Sequence, residues 1–159
     1  MRTATETRDP SVSESTIAGG RPVLLATIGV PLDGTATSFA LDAAVEGGRS
    51  LILANLTRLE PLWLSVRLGY DALEELTPEV AGSMRRAASA ALAFGIRVER
   101  LRVRSPRPIT ALLELIAERG AGILVFGPDR AALGIRRYRR SVQRIRDADP
   151  CLVWAADSD

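Results

Sequence analysis

The sequence predicts an α/β fold: a single domain with an open, parallel, five-stranded sheet that is sandwiched by about four helices. Short apolar runs, each closed by a glycine or a polar turn, alternate along the chain with longer stretches whose apolar residues recur at helical spacing. Continuous apolar runs are typical of strands buried on both faces, and strands that alternate with helices pair in parallel through right-handed crossovers. The 159 residues suffice for one domain with a sizeable core.

The domain is predicted to begin at residue 21. Residues 1–20 are rich in Thr, Ser, Glu and Gly without periodicity, which indicates a flexible tail, and residues 21–157 form the α/β domain. No apolar run approaches the roughly 18 residues that cross a bilayer. Residues 1–10 lack the apolar core of a secretory signal. We therefore expect a cytoplasmic protein without membrane contact.

The first half of the chain predicts two strands and two helices. Residues 22–28 form the first strand and residues 51–56 the second. The helix between them ends at a pair of glycines and is predicted by apolar residues at helical spacing, namely Ala36, Phe39, Ala40, Ala43 and Ala44. Residues 57–76 are less regular and indicate a lid or a short helix. Thr77 then caps a helix that has proline at its first position and stops at Gly95.

The second half of the chain predicts three strands and two helices. Residues 96–103 alternate charged and apolar side chains, as a more exposed strand does. Gly120 ends a helix whose apolar stripe is Ile109, Leu112, Leu113, Ile116 and Ala117. Residues 123–126 and 151–155 are apolar strands. The helix between them has a predicted buried face formed by Ile135, Tyr138, Val142 and Ile145.

The composition excludes several kinds of chemistry. The chain has no histidine, so it lacks the commonest general base, the Ser-His and Cys-His nucleophile pairs and the usual zinc ligand. Cys151 is the only cysteine, which excludes an internal disulfide and predicts an inert buried thiol. The net charge of +2 is too small to indicate nucleic-acid binding. We expect neither a metal site nor an enzyme.

The order of elements over residues 22–156 resembles the universal stress protein family. The stretch from Pro108 to Gly127 is similar to the family's Pro-Ala-x-x-Ile pattern that leads into a buried strand and a glycine, although Gly122 replaces the family's Asp. The ending Pro150-Cys151-Leu-Val is similar as well. The resemblance implies an α/β fold of the adenine-nucleotide alpha-hydrolase type. It also implies ATP or AMP binding and dimer formation in many members.

The phosphate-binding pattern implied by the resemblance is altered in this chain. The family pattern has Gly, two residues, Gly, nine residues, and a Gly followed by Ser or Thr. Laid onto the sequence from Gly127, the second glycine becomes Arg130, the third becomes Arg140, and Ser141 matches the hydroxyl position. If the pattern is counted back from Pro150-Cys151 instead, the third glycine becomes Arg139 and the hydroxyl position becomes Arg140. Arginine keeps positive charge but fills the space that glycine leaves for a phosphate.

The other end of the implied pocket is altered too. Nucleotide-binding members have Asp-Gly-Ser at the end of the first strand, with the Asp contacting the nucleotide, whereas this chain has Ile28-Gly29-Val30. Isoleucine cannot accept a hydrogen bond from a ribose or a base. The pocket positions Ile28, Gly29, Gly127, Arg130, Arg140 and Ser141 are therefore expected to be degenerate.

Two functions remain open at this point. The first is a non-catalytic regulatory or stress-response module without a cofactor, which forms a homodimer through the edge strand from Cys151 to Ala156. The second is a binder of ATP, AMP or another anion, in which Arg130, Arg140 and Ser141 hold the phosphates by side chain. The arginines at positions 136–140 are interpreted first as a solvated helix face and second as a site for an anion or an acidic partner.

Overall fold

The computed structural model describes residues 20–59 and 77–156. The predicted α/β class is confirmed. In chain order the elements are β1 (Val23–Thr27), α1 (Gly34–Gly47), β2 (Leu51–Arg58), α2 (Pro78–Ala93), β3 (Val98–Ser105), α3 (Pro108–Arg119), β4 (Ile123–Phe126), α4 (Arg130–Leu133), α5 (Ile135–Ala148) and β5 (Leu152–Ala155). None of the helices in these two ranges is both long enough and apolar enough to cross a membrane.

The five strands form one parallel sheet in the order β3-β2-β1-β4-β5. β1 lies at its centre, where Val23 pairs with Leu51 of β2 on one side and with Ile123 of β4 on the other. The strand order changes direction between β1 and β4. In open α/β sheets a crevice forms at such a point, beyond the carboxyl ends of the strands, and ligands bind there.

The core consists of two apolar layers, one on each face of the sheet. Val23 and Leu25 of β1 face α1 and α2, whereas Leu24 and Ala26 face α3 and α5. All four side chains are fully buried, because helices cover both faces of the central strand. Burying a Val or Leu side chain contributes about 1.5–3 kcal/mol, so these apolar runs stabilise the sheet centre strongly.

Two predicted helix ends are confirmed, and the predicted start of the third strand is wrong. The Thr77 hydroxyl accepts the backbone N–H of Val80 at 3.4 Å, so the predicted cap of α2 is confirmed. Gly120 ends α3 with φ 64°, a left-handed conformation that glycine adopts easily. The third strand begins at Val98 and not at residue 96 as predicted. The reason is that Ile96 donates its N–H to the carbonyl of Ala91 and so completes the end of α2.

The second strand is longer than the sequence predicts. It continues to Arg58, so Thr57 and Arg58 belong to β2 and not to the predicted lid or short helix. The remainder of that segment, residues 60–76, lies outside the described residues, as do residues 1–19 of the predicted tail.

The helical region after β4 also differs from the prediction. A one-turn helix, α4, precedes α5 and places Leu133 in the core with 5% exposure. Ile135, predicted to be buried, is 44% exposed, because Leu133 already packs against that end of the core. Tyr138, Val142 and Ile145 are buried as predicted.

Candidate functional site

The crevice between β1 and β4 is bridged by the two loops that follow these strands. We call residues 28–33 the first crevice loop and residues 127–134 the second crevice loop. Asp33 N–H donates to the carbonyl of Gly127 at 2.9 Å, and Asp129 N–H donates to the carbonyl of Pro31 at 2.8 Å. Leu32 and Pro128 form an antiparallel bridge between these bonds. The loops therefore hold each other across the place where a ligand binds in many sheets of this type.

Gly127 lies at the end of β4, where the sequence places the first glycine of the phosphate pattern. Its N–H donates to the carbonyl of Ala26 at 2.8 Å. A Cβ atom at this position would lie 2.8 Å from the Cβ of Ala36 and 2.9 Å from Cδ1 of Leu25. The absence of a side chain thus lets the start of α1 pack closely against the strand end, a structural requirement that exists without any ligand.

The Asp129 carboxylate occupies the start of α4. It accepts the N–H groups of Ala131 at 2.9 Å and Ala132 at 3.2 Å. The Asp129 carbonyl accepts the N–H of Leu133, and Gly134 N–H donates to the Arg130 carbonyl, both at 2.9 Å. These backbone donors are of the kind that cradle a phosphate in other proteins. Here the four N–H groups donate to oxygen atoms of the protein itself, and two of them donate to the Asp129 carboxylate, which is an anion.

Arg130 contacts the aromatic part of the core. Its guanidinium carbon lies 6.0 Å from the centre of the Tyr138 ring, within the range of a cation–π interaction. Tyr138 also packs against Phe126, with ring centres 5.8 Å apart, and its hydroxyl donates to the carbonyl of Ala156 at 2.8 Å. Burial raises the pKa of the Tyr138 hydroxyl, while the charge of Arg130 acts in the opposite direction.

Arg140 and Ser141 lie in the second turn of α5 and not in the loop before it. Arg140 is exposed, whereas Tyr138 is buried. The two residues are separated by about 200° of helix rotation, which places them on opposite faces. Arg130 therefore contacts a residue of the buried face of α5, whereas Arg140 lies on the exposed face. Arg139, the alternative position for the third glycine, is also exposed within the helix.

Ile28 and Gly29 open the first crevice loop. Ile28 is 8% exposed and belongs to the apolar layer on the α3 and α5 side. Gly29 has φ 63°, and its N–H donates to Oδ1 of Asn55 at 3.0 Å. Both residues therefore connect the loop to the protein interior. Ile28 offers no polar group to a ligand, as the sequence predicts.

Three buried polar side chains hold the first crevice loop, and we call them the polar clamp: Thr27, Asn55 and Ser83. The Thr27 hydroxyl donates to the carbonyl of Val30 at 2.6 Å, and the Ser83 hydroxyl accepts Leu32 N–H at 3.1 Å. Asn55 accepts from Gly29, but its buried Nδ2 has no hydrogen-bond partner among the described residues. An unsatisfied buried donor costs about 1–3 kcal/mol, so the clamp holds the loop at an energetic cost.

Sequence reasoning missed Asp33, which lies directly across the crevice from the second loop. Its Oδ2 accepts the N–H of Ala36 at 3.0 Å, so it caps α1. The prediction expected an aspartate at position 28. The sequence has Asp33-Gly34-Thr35, an Asp-Gly-hydroxyl sequence, five residues later and just before the apolar stripe of α1. Asp33 therefore lies in the first crevice loop as the cap of α1.

Two surface grooves lie away from the crevice. One, of about 390 Å³, is lined by Arg146, Asp149 and Cys151 together with two residues of β5. Cys151 is half-buried there, which corrects the prediction of a buried thiol, and burial still raises its pKa. The other groove, of about 680 Å³, lies at the amino ends of the strands beside Arg49 and Phe94. In the described part of the chain no group of three or more acidic or cysteine residues could hold a metal ion.

The fold and the crevice define a protein with an open, parallel α/β sheet whose strand order changes direction between β1 and β4. No protein-family profile matches the sequence, and no curated protein matches it. A protein of the universal stress protein family from Burkholderia pseudomallei is similar in structure. Its TM-score is 0.63 at 17% sequence identity, over 86% of this chain and 96% of that chain.

Two further solved structures are similar and contain a nucleotide. The universal stress protein from Archaeoglobus fulgidus in complex with dAMP has a TM-score of 0.62 at 15% identity, over 87% of this chain and 99% of that chain. A universal stress protein in complex with cAMP has a TM-score of 0.60 at 19% identity, over 89% and 99%. At these identities the likeness shows a shared fold, so the predicted resemblance is confirmed for the fold.

Proposed function

We propose that this chain is a universal-stress-protein-like regulatory module of the cytoplasm that is not catalytic and does not bind ATP in the usual way. The observation that supports this proposal is the position of Asp129. Its carboxylate already accepts the N–H groups of Ala131 and Ala132 at the start of α4. A phosphate at the same place would lose these donors and would meet a like charge.

The bridged crevice supports the same proposal. A nucleotide seated between β1 and β4 would have to separate backbone bonds that join Asp33 to Gly127 and Asp129 to Pro31. The polar clamp opposes separation of the two loops, because it bonds the first crevice loop at Gly29, Val30 and Leu32. Opening the crevice would therefore break several hydrogen bonds, of which the one from Leu32 to Ser83 is buried, and buried polar groups left without partners are costly.

The rival function is binding of a nucleotide or another anion through arginine side chains. It is favoured by the structural neighbours that were solved with dAMP and cAMP. The arrangement of Arg130 against Tyr138, with Arg140 on the other side of α5, argues against a single site that contains both arginines. The rival therefore requires that α4 and the start of α5 rearrange when the ligand binds.

Calorimetric titration with ATP, AMP and inorganic phosphate tests the proposal. We expect no saturable heat with the unmodified protein. Arg130→Gly/Arg140→Gly tests whether arginines block a retained site, and Asp129→Asn tests whether the carboxylate repels the anion. Asp42→Asn is the matched control, because Asp42 is an exposed acid on α1 away from the crevice.

The outcomes of these titrations separate the two functions. Saturable ATP or AMP binding by the unmodified protein overturns the proposal and supports the rival. Binding that is absent from the unmodified protein and from Asp42→Asn but present in Asp129→Asn supports the proposal directly. Binding gained by Arg130→Gly/Arg140→Gly supports it as well, and shows that the arginine side chains contribute to the block.

We also propose that the module is a homodimer that pairs through β5, over residues 151–156. β5 lies at the edge of the sheet with β4 as its neighbour, and Leu152 on it is 69% exposed. An exposed apolar edge strand is covered in native proteins, and a second copy across a two-fold axis would cover it.

Light scattering on the unmodified protein and on Leu152→Glu tests the pairing. We expect a dimer mass for the first and a monomer mass for the second, because the introduced carboxylates would face each other across the axis. Leu92→Glu is the control, since Leu92 on α2 is similarly exposed, at 65%. A monomer mass for the unmodified protein at micromolar concentration contradicts the dimer.

A further inference from the structure

The outer face of α5 carries an ordered row of arginines. Arg136, Arg140 and Arg144 are exposed and follow one another at intervals of four residues. Side chains at this spacing lie on one helix face about 6 Å apart, so the row is about 12 Å long. The buried residues Tyr138 and Ile145 lie on the opposite face. We call these three side chains the arginine row.

The arginine row has no carboxylate partner within the described part of the chain. No salt bridge joins Arg136, Arg140 or Arg144 to a residue in the ranges 20–59 and 77–156. The one hydrogen bond of the row is a long one of 3.5 Å from Nη2 of Arg144 to the Thr110 hydroxyl. The acid on the same helix, Asp147, instead accepts a hydrogen bond from Gln143 at 2.7 Å.

The amino end of the row, at Arg136, is placed where helix electrostatics are unfavourable. α5 begins after Gly134 without a side-chain cap, has no acidic residue in its first turn, and has Arg136 and Arg137 there instead. Cations at the positive end of the helix dipole are destabilising, and like charges at four-residue spacing repel each other. An anionic partner along the row would reverse both effects, because each positive charge would then have a neutralising contact.

We propose that the arginine row binds an acidic α-helix of a partner protein. Carboxylates at positions i, i+4 and i+8 of a second helix repeat at the same spacing of about 6 Å, so each can meet one arginine. Arginine is suited to this role because its planar guanidinium binds a carboxylate through two parallel hydrogen bonds. The inference deepens the proposed function and rests on it, since a regulatory module acts through a partner.

A helix is favoured over a nucleic acid by two observations. The aromatic residue of α5, Tyr138, is 1% exposed, so the helix offers no aromatic surface on which bases could stack. The net charge of +2 gives the whole protein little long-range attraction for a phosphate polymer. A short row of discrete charges fits a partner that presents few carboxylates at matching positions.

Fluorescence anisotropy with a labelled alanine-based helical peptide tests the inference. The probe has glutamate at every fourth position, and the control peptide has glutamine there. We expect saturable binding of the glutamate peptide that weakens as salt is added. Arg136→Gln/Arg140→Gln/Arg144→Gln should weaken binding at least about tenfold, through loss of three charge-assisted contacts.

Arg85→Gln/Arg86→Gln/Arg100→Gln is the matched control variant. It removes the same charge from exposed arginines outside α5 and should bind the glutamate peptide like the unmodified protein. Equal weakening in both variants would show a non-specific charge effect and overturn the inference. Thermal unfolding of each variant verifies that it is folded, and the substitutions in α5 remove repulsion and so preserve the helix.

Competition experiments decide the kind of partner. Inorganic polyphosphate and single-stranded DNA are added to the peptide complex as competitors. If either binds the arginine row more tightly than the glutamate peptide, the partner is a phosphate polymer and the acidic helix is wrong. If the glutamate peptide does not bind at all, the inference fails, whereas the proposed function is judged separately by the ATP titrations.

Discussion

The two crevice loops and the outer face of α5 use polar groups in opposite ways. In the crevice, the carboxylates of Asp33 and Asp129 accept backbone N–H groups of the same chain and so cap α1 and α4. On α5, the arginine row has no acidic partner among the described residues. A surface that satisfies its own groups has little free energy to gain from a ligand, whereas an unpaired row of like charges gains from an anionic one.

This difference points to the outer face of α5, and not to the crevice, as the surface that gains most from a partner. The expected ligand site lies at the carboxyl ends of β1 and β4, and there the geometry is already fixed by contacts within the protein. A row of like charges without an acidic partner among the described residues lies instead on the outer face of α5. Three variants test this difference between the crevice and α5.

Gly127→Ala has the largest expected effect. The added Cβ would lie 2.8 Å from the Cβ of Ala36, a contact that backbone must move to relieve. Overpacking of this kind costs about 1–3 kcal/mol, measured as a lower free energy of unfolding in denaturant. Gly34→Ala is the control, because no atom lies within 4 Å of its added Cβ. Equal stability of the two variants would show that Gly127 is not required for packing.

Asn55→Ala tests the polar clamp. The substitution leaves the N–H of Gly29 without its acceptor, while it also removes the unsatisfied Nδ2. The net loss should be about 1 kcal/mol of unfolding free energy, because a partly buried hydrogen bond is lost. Gln143→Ala removes an exposed amide from α5 and should change stability little. A loss no greater than that of this control would mean that the clamp does not hold the crevice closed.

Arg136→Gln/Arg137→Gln should have the smallest effect and the opposite sign. Removing two cations from the first turn of α5 should raise the unfolding free energy by about 0.5 kcal/mol at low salt. The gain should shrink as salt screens the charges. Arg85→Gln/Arg86→Gln in the middle of α2 should show no such gain. A destabilised α5 variant would indicate that these arginines are already satisfied, and the comparison with the crevice would fail.

The fold could be predicted because its signal is local. Residues 23–26 of β1 are apolar at every position, as is typical of a strand covered on both faces. Thr77 and Gly120 mark helix ends through their own backbone and side-chain chemistry. By contrast, α4 contains four residues, Arg130–Leu133, and is too short for helical periodicity to be detected.

The candidate site could be predicted only in part. Gly127 and Ile28 could be located because each directly follows a predictable strand. The bonds from Asp33 to Gly127 and from Asp129 to Pro31 are between backbone atoms of distant loops, and no residue type encodes them. Asn55 lies in a strand and Ser83 in a helix, far apart in the sequence. That both accept N–H groups of the first crevice loop can be seen only once these elements are packed together.

The stacked pair of Phe39 and Trp154 constrains the order in which the molecule is completed. The two rings lie 4.7 Å apart at 14° and join the first helix to the last strand. During synthesis Phe39 emerges more than a hundred residues before its partner, so the face of α1 beneath β5 stays without cover until residue 154 has been made. The last strand therefore completes this aromatic contact only after every other element of the sheet has been made.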